Sequence, residues 1–499
     1  MSIDSPPPKL TAIGLMGAAV VGLVLRFVVG LEPVWWLAWT APALLLVLTF
    51  TAPERSWRAL TSVAALIAVS ANVAYYLRVM PVPVVLLVVA GQALLWVLVV
   101  SESRRAVLRW RTPWTALAYP VLWVAVDTLM AAVLPDGNWA SLAYTQADVL
   151  PVMQTASLLG VAGVLFLLSL VPSAVATAVV LGRNTKHMAA MLAGTAALLA
   201  AALTFGIVRL ATPAPDAPTT RFGLATVDDA IGLEATAPYV NAIRGHYDTH
   251  IAALASDGAH VVLLPEKIAV ASEGDAAEWQ SHLAEQAKTR GVWLSAGMAV
   301  QTPDGIVNDA WLFTPQGVLD ASYRKQFMAP PERGYLPGRD YVVRQVEGAR
   351  YGIAICKDMH FASFGRAYGQ RQTAVMLVPA WDFTVDRGLG ARMTAVRGIE
   401  NGYLVVRAAR DGQMTVTDAH GRILAEQDSG AMPGRRMRVD ARVPAPVATL
   451  FTRVGNVLGW ACVAAAGLLV WRTRVGRRPS HEIAIARPGG EVDVPHAQA

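Results

Sequence analysis

The chain has 499 residues, of which 54% are hydrophobic and only 16% charged, with a net charge of +6 and a mean hydropathy of +0.42. Soluble domains are about a quarter charged, so these values exclude a wholly soluble protein, and the length admits two or more domains. The positive charge falls mainly in short loops between apolar segments, where it faces anionic lipid and gives no reason to invoke nucleic acid.

Stretches of roughly 20 apolar residues are candidate membrane-spanning helices. They occur at 10–30, 33–52, 59–77, 82–101, 115–134, 155–181 and 187–210, with an eighth at 451–471. Lysine and arginine mark every second loop. Lys9 lies before the first segment, Arg55 and Arg58 after the second, and Arg104, Arg105, Arg109 and Arg111 after the fourth. Arg183 and Lys186 follow the sixth, and Arg472, Arg474, Arg477 and Arg478 follow the last. The intervening loops hold little basic charge, with Glu32, Arg78, Asp136 and Asp148. By the positive-inside rule both termini are cytoplasmic and the polar stretch before the last helix is outside. The predicted organisation is a bundle over 1–211, a domain over 212–450, a helix over 451–472 and a disordered tail over 473–499. Asp127 lies deep in YPVLWVAVDTLM (119–130); it is either a functional carboxylate or one paired within the bundle.

The domain begins after the Pro/Thr-rich linker TPAPDAPTT (212–220). Apolar runs at 221–227, 260–265, 292–300, 309–313, 350–356, 374–379 and 403–409 read as strands, and 240–255 and 278–289 as amphipathic helices. Continuous apolar strands between helices indicate an α/β layered fold, whose sites lie at the carboxyl ends of strands. There stand Glu266, after HVVLLP, and Cys356, ending RYGIAIC. Cys356 has no disulfide partner in its domain, because the other cysteine, Cys462, lies in an apolar segment. A lone thiol outside the cytoplasm is a liability unless its reactivity is used. Lys325 lies between the two in ASYRKQFMAPPERGYLPG (321–338). A cysteine nucleophile needs a base for its proton and a cation or donor for the oxyanion; Glu266 and Lys325 can fill these roles. His246, His250 and His360 read as structural or surface residues, and no metal-ligand cluster is evident.

LLPEK (263–267), YRKQF (323–327) and AICKDMHF (354–361) resemble, in order and spacing, the motifs of the nitrilase, or carbon–nitrogen hydrolase, superfamily. That resemblance implies an α-β-β-α sandwich with Glu266 as general base, Lys325 as oxyanion stabiliser and Cys356 as a thioester-forming nucleophile, without metal or cofactor. Joined to a bundle of about eight membrane helices, the domain is similar to the apolipoprotein N-acyltransferase family. Supporting stretches are GNWASLAYTQ (137–146), RMTAVRGIENGYLVVRAARDG (392–412) and TLFTRVGNVLGW (449–460). The resemblance implies a monomer in a bacterial inner membrane with its catalytic domain in the periplasm. It implies an acyl donor that is a phospholipid of the surrounding bilayer and an acceptor that is a diacylated lipoprotein.

The pattern departs from that family in three places. Lys357 and Asp358 follow the cysteine where an aromatic residue and a Glu are usual. Glu332 stands one residue closer to Lys325, and VPAWDF (378–383), with Trp381, replaces S-N-D-A-W-F. Glu332, Lys357, Asp358 and Trp381 are therefore candidate supporting residues. Lys357 is either a cation that lowers the thiol pKa or a surface residue, and Trp381 lines a substrate pocket or packs in the core. The acceptor stays open between an amine and, for a membrane-tethered amidase, water.

Overall fold

The computed structural model describes residues 12–182, 186–212 and 216–475. Lys9, Arg183, Arg477, Arg478, part of the linker and the tail from 476 lie outside the described residues. Among the described residues, six helices are long and apolar enough to cross a membrane: Ala12–Val29, Trp57–Val79, Val82–Trp110, Pro113–Val133, Ala156–Leu181 and Lys186–Ala211. The segment read at 33–52 folds as the 15-residue helix Leu37–Thr51. The one at 451–471 divides into Leu450–Val454 and Val457–Val475, the latter with Arg472 and Arg474 in its last turn. Six of the eight expected spans thus meet the length and composition for crossing.

The fourth helix runs well past residue 101, so Arg104, Arg105 and Arg109 are helical rather than in a loop. The reason is pairing along and between helices. Arg105 binds Glu102 at 2.7 Å one turn away, and Arg474 binds the same carboxylate at 2.9 Å. Arg104 turns inward and donates to the carbonyls of Thr49 and Ala52 at 3.1 and 2.9 Å, satisfying the open end of Leu37–Thr51. Asp127 is an anchor within the bundle. It accepts from Asn138 Nδ2 at 2.7 Å and so fixes the loop after Val133, which carries Asp136 and Trp139.

Thirteen strands follow among the described residues: β1 Thr219–Thr226, β2 Val261–Leu263, β3 Val270–Ser272, β4 Trp293–Thr302, β5 Gly305–Phe313, β6 Leu319–Arg324, β7 Val342–Val346, β8 Ala349–Ile353, β9 Val375–Trp381, β10 Leu404–Arg410, β11 Gln413–Thr417, β12 Ile423–Asp428 and β13 Arg435–Arg442. One sheet has the order β13-β1-β2-β4-β5-β6, with β3 on β4, and the other β12-β11-β10-β9-β8-β7. Phe222, Leu263, Tyr351 and Val406 meet in the core between the sheets. Helices Ala237–Ser256 and Glu273–Arg290 cover the outer face of the first sheet through Ile251, Leu254, Trp279 and Leu283. Ala362–Gln370 joins the second sheet through the Tyr368 hydroxyl, which donates to the Ile353 carbonyl and accepts from the Val342 N–H, and Arg387–Asn401 packs on β10 and β11. This is the expected α-β-β-α sandwich.

The sandwich is built into the bundle. Met393, Val396 and Ile399 of Arg387–Asn401 belong to the same apolar core as the membrane helices. Beside them, buried Arg397 pairs with Glu400 at 3.1 Å and donates to Tyr144 of the bundle at 3.1 Å. Glu400 also accepts the N–H of Val161 at 3.0 Å. That N–H is free because the long helix kinks at Gly160, whose φ of +66° favours glycine. Polar groups that would be costly in an apolar core therefore fasten the two parts in one register.

Candidate active site

Glu266 lies three residues beyond β2, where its own N–H reaches across to the Ala380 carbonyl of the other sheet at 3.3 Å. Lys325 follows the last residue of β6, and its N–H donates to Asn308 at 2.9 Å. The two side chains are almost wholly buried and meet at 2.6 Å, Lys325 Nζ to Glu266 Oε1. Glu332 accepts from the same ammonium at 2.6 Å. Asn308 Nδ2 lies 2.6 Å from Glu266 and 2.9 Å from Glu332, bridging the carboxylates. Lys267 closes the cluster on Glu332. Two lysines and two carboxylates thus compensate one another in a buried site, the condition under which buried charges are tolerated.

Each charge state has a physical cause. Burial alone would lower the Lys325 pKa; the carboxylates of Glu266 and Glu332 outweigh it and hold the ammonium well above its usual range. Burial would raise Glu332; Lys325 and Lys267 outweigh it and depress the carboxyl strongly. A depressed carboxyl stabilises the fold above its unfolded value, near 4.5, and that stability drains away as pH falls below it. Glu332→Gln is expected to cost about 3–5 kcal/mol at neutral pH. Thermal unfolding of the two proteins from pH 7 to 2 should show the gap constant above about pH 4.5 and narrowing progressively below it. A gap independent of pH would show that the Glu332 charge does not stabilise the fold.

Cys356 does not end a strand, as its apolar run predicts. β8 stops at Ile353 and Cys356 opens a 3-10 turn, Cys356–His360. Its φ is +44°, a conformation that costs a residue other than glycine about 1–3 kcal/mol. The turn is held by Asp358, which accepts from the N–H groups of Ile355, Gln326 and Phe327 at 2.9–3.0 Å and from Tyr323 at 2.7 Å. Asp358 is thereby a backbone anchor, with both carboxyl oxygens spent. Burial pushes its carboxyl up to about 6, against Tyr323 and Lys325. The Cys356 thiol is 8% exposed and donates to the Trp381 carbonyl at 3.4 Å. Burial first and the Glu266 charge second push the thiol well above its usual pKa, while Lys325 pulls it down. The nucleophile candidate is thus held as a thiol beside a carboxylate.

Lys357 is not the surface residue that one of its two readings describes. It is buried, and its ammonium binds Asp136 of the bundle loop and the Met328 carbonyl at 2.8 Å. It ties the cysteine turn to the membrane part, and burial lowers its pKa despite Asp136. Asp136→Asn is expected to slow Cys356 chemistry by about tenfold, one lost charge-assisted bond. Equal rates would detach this link from the site. Trp381 is half-buried at the end of β9. The Lys267 ammonium and the Arg410 guanidinium lie 4.3 and 4.1 Å from its ring centroid, and its Nε1 donates to Asp411 at 2.8 Å.

The site adjoins a cavity of about 580 Å³ built by both parts. Tyr75, Val88, Leu95 and Trp139 of the bundle line it with Phe383 and Pro330 of the domain, and its lining is mostly apolar. Lys357 and His360, from the cysteine turn, reach its wall. Burial, then Lys357, hold His360 well below the usual histidine range, so it is neutral there. His250 is elsewhere, bonded to the Pro433 carbonyl at 2.7 Å. Among the described residues no group of three or more His, Cys, Asp and Glu could hold a metal.

Sequence reading brought out Glu266, Lys325, Glu332 and Cys356, which the fold gathers, and missed Lys267 and Asn308. Lys267 directly follows Glu266 in LLPEK, and Asn308 stands one residue before the strand read at 309–313. Both signals were adjacent to recognised motifs.

The family described as apolipoprotein N-acyltransferase N-terminal domain matches residues 20–174, and carbon-nitrogen hydrolase matches 230–432. An apolipoprotein N-acyltransferase of Geobacter metallireducens is 25% identical over 400 residues, covering 71% of this chain and 73% of that protein. A human omega-amidase is 27% identical over 203 residues, 34% of this chain and 74% of its own. A solved amidase from Nesterenkonia sp. covers 47% of this chain and 94% of itself, at 22% identity and a TM-score of 0.38. With one family model matching the bundle, the other the sandwich and a relative matching across both, these similarities support an apolipoprotein N-acyltransferase with a carbon–nitrogen hydrolase domain.

Proposed function

We propose that this protein transfers an acyl chain from a phospholipid to the α-amino group of a diacylglyceryl-cysteine at a lipoprotein N-terminus, through a thioester on Cys356. The observation that carries the reading is the convergence of Glu266, Lys325 and Cys356 beside an apolar cavity shared by bundle and sandwich. In the first half-reaction Glu266 takes the Cys356 proton and sulfur attacks the ester carbonyl. Lys325 Nζ meets the oxyanion. The intermediate collapses to the thioester, and the lysophospholipid leaves with the proton from Glu266. In the second, the acceptor amine attacks the thioester and gives a proton to Glu266; the amide forms and Cys356 regains its thiol. A dry site favours amine over water as nucleophile, and two lipid-anchored substrates meet there at high effective concentration. The arginines and lysines gathered at alternate ends of the apolar segments support an inner-membrane protein with both ends cytoplasmic and the sandwich outside.

The test is acyl-enzyme trapping. Protein in detergent is incubated with phospholipid labelled in its acyl chain and quenched in acid. Hydroxylamine-sensitive label is expected on the Cys356 peptide and absent in Cys356→Ala. Folded protein without label, yet releasing ammonia from small amides, would replace this reading with a membrane-tethered amidase. The cavity makes a further prediction. Gly91 lines it, and a Cβ there meets nothing within 4 Å. Gly91→Leu should lower acylation by long-chain relative to short-chain donors by about tenfold, the worth of two excluded methylenes. An unchanged ratio would place the acyl chain elsewhere.

A further inference from the structure

Arg410 ends β10 in register with Trp381, whose carbonyl receives the Cys356 thiol. It is 3% exposed, and its Nε and Nη1 are buried without a hydrogen-bond partner among the described residues. Arg407, on the same strand, is the contrast, with both Nη atoms on Asp382 at 3.0 and 2.5 Å. The carboxylates near Arg410 are Glu266, Asp411 and Asp228. Glu266 is bonded to Lys325 and Asn308, Asp411 to the Trp381 indole, and Asp228 to the Asp411 N–H at 2.8 Å. An unpaired buried donor costs about 1–3 kcal/mol, and more when charged. The Trp381 face at 4.1 Å offsets part of this cost and leaves the N–H groups free.

The position identifies the ligand class. Arg410 stands beside the triad, stacked on Trp381, whose carbonyl receives the Cys356 thiol, and acts electrostatically on Glu266 and on half-buried Tyr335. An unpaired guanidinium there attracts anionic oxygen and repels an amine. Of the two substrates in the proposed reaction, only the donor carries an anion close to its reacting ester. We propose that Arg410, against the Trp381 face, forms a subsite for the phosphodiester of the donor lipid. This rests on the acyltransferase reading above.

The experiment compares two donors with the same ester, a phospholipid and a diacylglycerol, for labelling of Cys356 in the full chain. In Arg410→Gln, labelling from phospholipid should fall at least about tenfold and labelling from diacylglycerol should stay within about twofold. Arg410→Lys should recover part of the phospholipid rate, since it restores the charge. Glycerophosphoethanolamine should slow diacylglycerol labelling in the unaltered protein and leave Arg410→Gln unaffected. Inorganic phosphate should compete less well; stronger competition by it would overturn the head-group assignment. Parallel loss with both donors, or no loss with either, would overturn the subsite. Absence of label from both donors in the unaltered protein would instead fail the thioester reading, and the subsite with it.

Discussion

Glu266→Gln is expected to slow acylation of Cys356 by about 10²–10⁴-fold, the range for loss of a general base, while making the thiol easier to ionise. The two effects have opposite signs because Glu266 does two things. As a base it must receive the thiol proton. As a charge it disfavours the thiolate, and only burial raises the Cys356 pKa more. Glutamine keeps the size and can still accept from Lys325 and Asn308, but it removes both base and charge. With Lys325 still pulling the thiol down, the pH at which iodoacetamide alkylation reaches half its maximum should fall. A general loss of structure would also lower the midpoint, because it removes the burial that raises the thiol most, so the comparison is made at an unchanged melting temperature. Normal acylation in Glu266→Gln would remove Glu266 as the base. A raised alkylation midpoint would remove the electrostatic account.

How far the site could be read from sequence follows from what encodes each residue. Glu266, Lys325 and Cys356 stand in short motifs with characteristic neighbours, and their order survives folding. The geometry of the nucleophile was not legible. RYGIAIC has the composition of a strand through its last residue, whereas the strand stops at Ile353 and the backbone turns left-handed at Cys356. No Gly, Asn or Asp stands at the left-handed position itself; its cause is Asp358, two residues on, whose bonds reach Gln326 and Phe327 in a distant loop. Asp358 and Lys357 looked like chemistry because they flank the cysteine, yet one anchors backbone and the other grips Asp136. That grip joins residues 221 apart in sequence, beyond any local pattern. The helical parts were legible by length and hydropathy, except where packing trimmed Leu37–Thr51 and where the Glu102 pairs extended Val82–Trp110. The strands missed, such as β6 and β13, are half-polar: β13 alternates buried and exposed residues along Met437–Arg442, and its arginines mask the period of two.

Lys325→Ala should lower Cys356 acylation by about 10²–10³-fold, the cost of one oxyanion donor, and also destabilise the sandwich by about 3–5 kcal/mol. The stability loss arises because Glu266 and Glu332 lose the ammonium they share and face each other across Asn308, with Lys267 paired to Glu332 alone. The two effects can be separated by removing one of the stranded charges. Lys325→Ala with Glu332→Gln restores the charge balance, one lysine against one carboxylate, so most of the lost stability should return. The acylation rate should not, because no cation remains where Lys325 pairs with Glu266 and acts on the thiol. Melting temperature and thioester labelling, measured on both variants, should therefore part company. If labelling recovers with stability in the double variant, Lys325 serves only to neutralise buried carboxylates, and the oxyanion must be held by other donors.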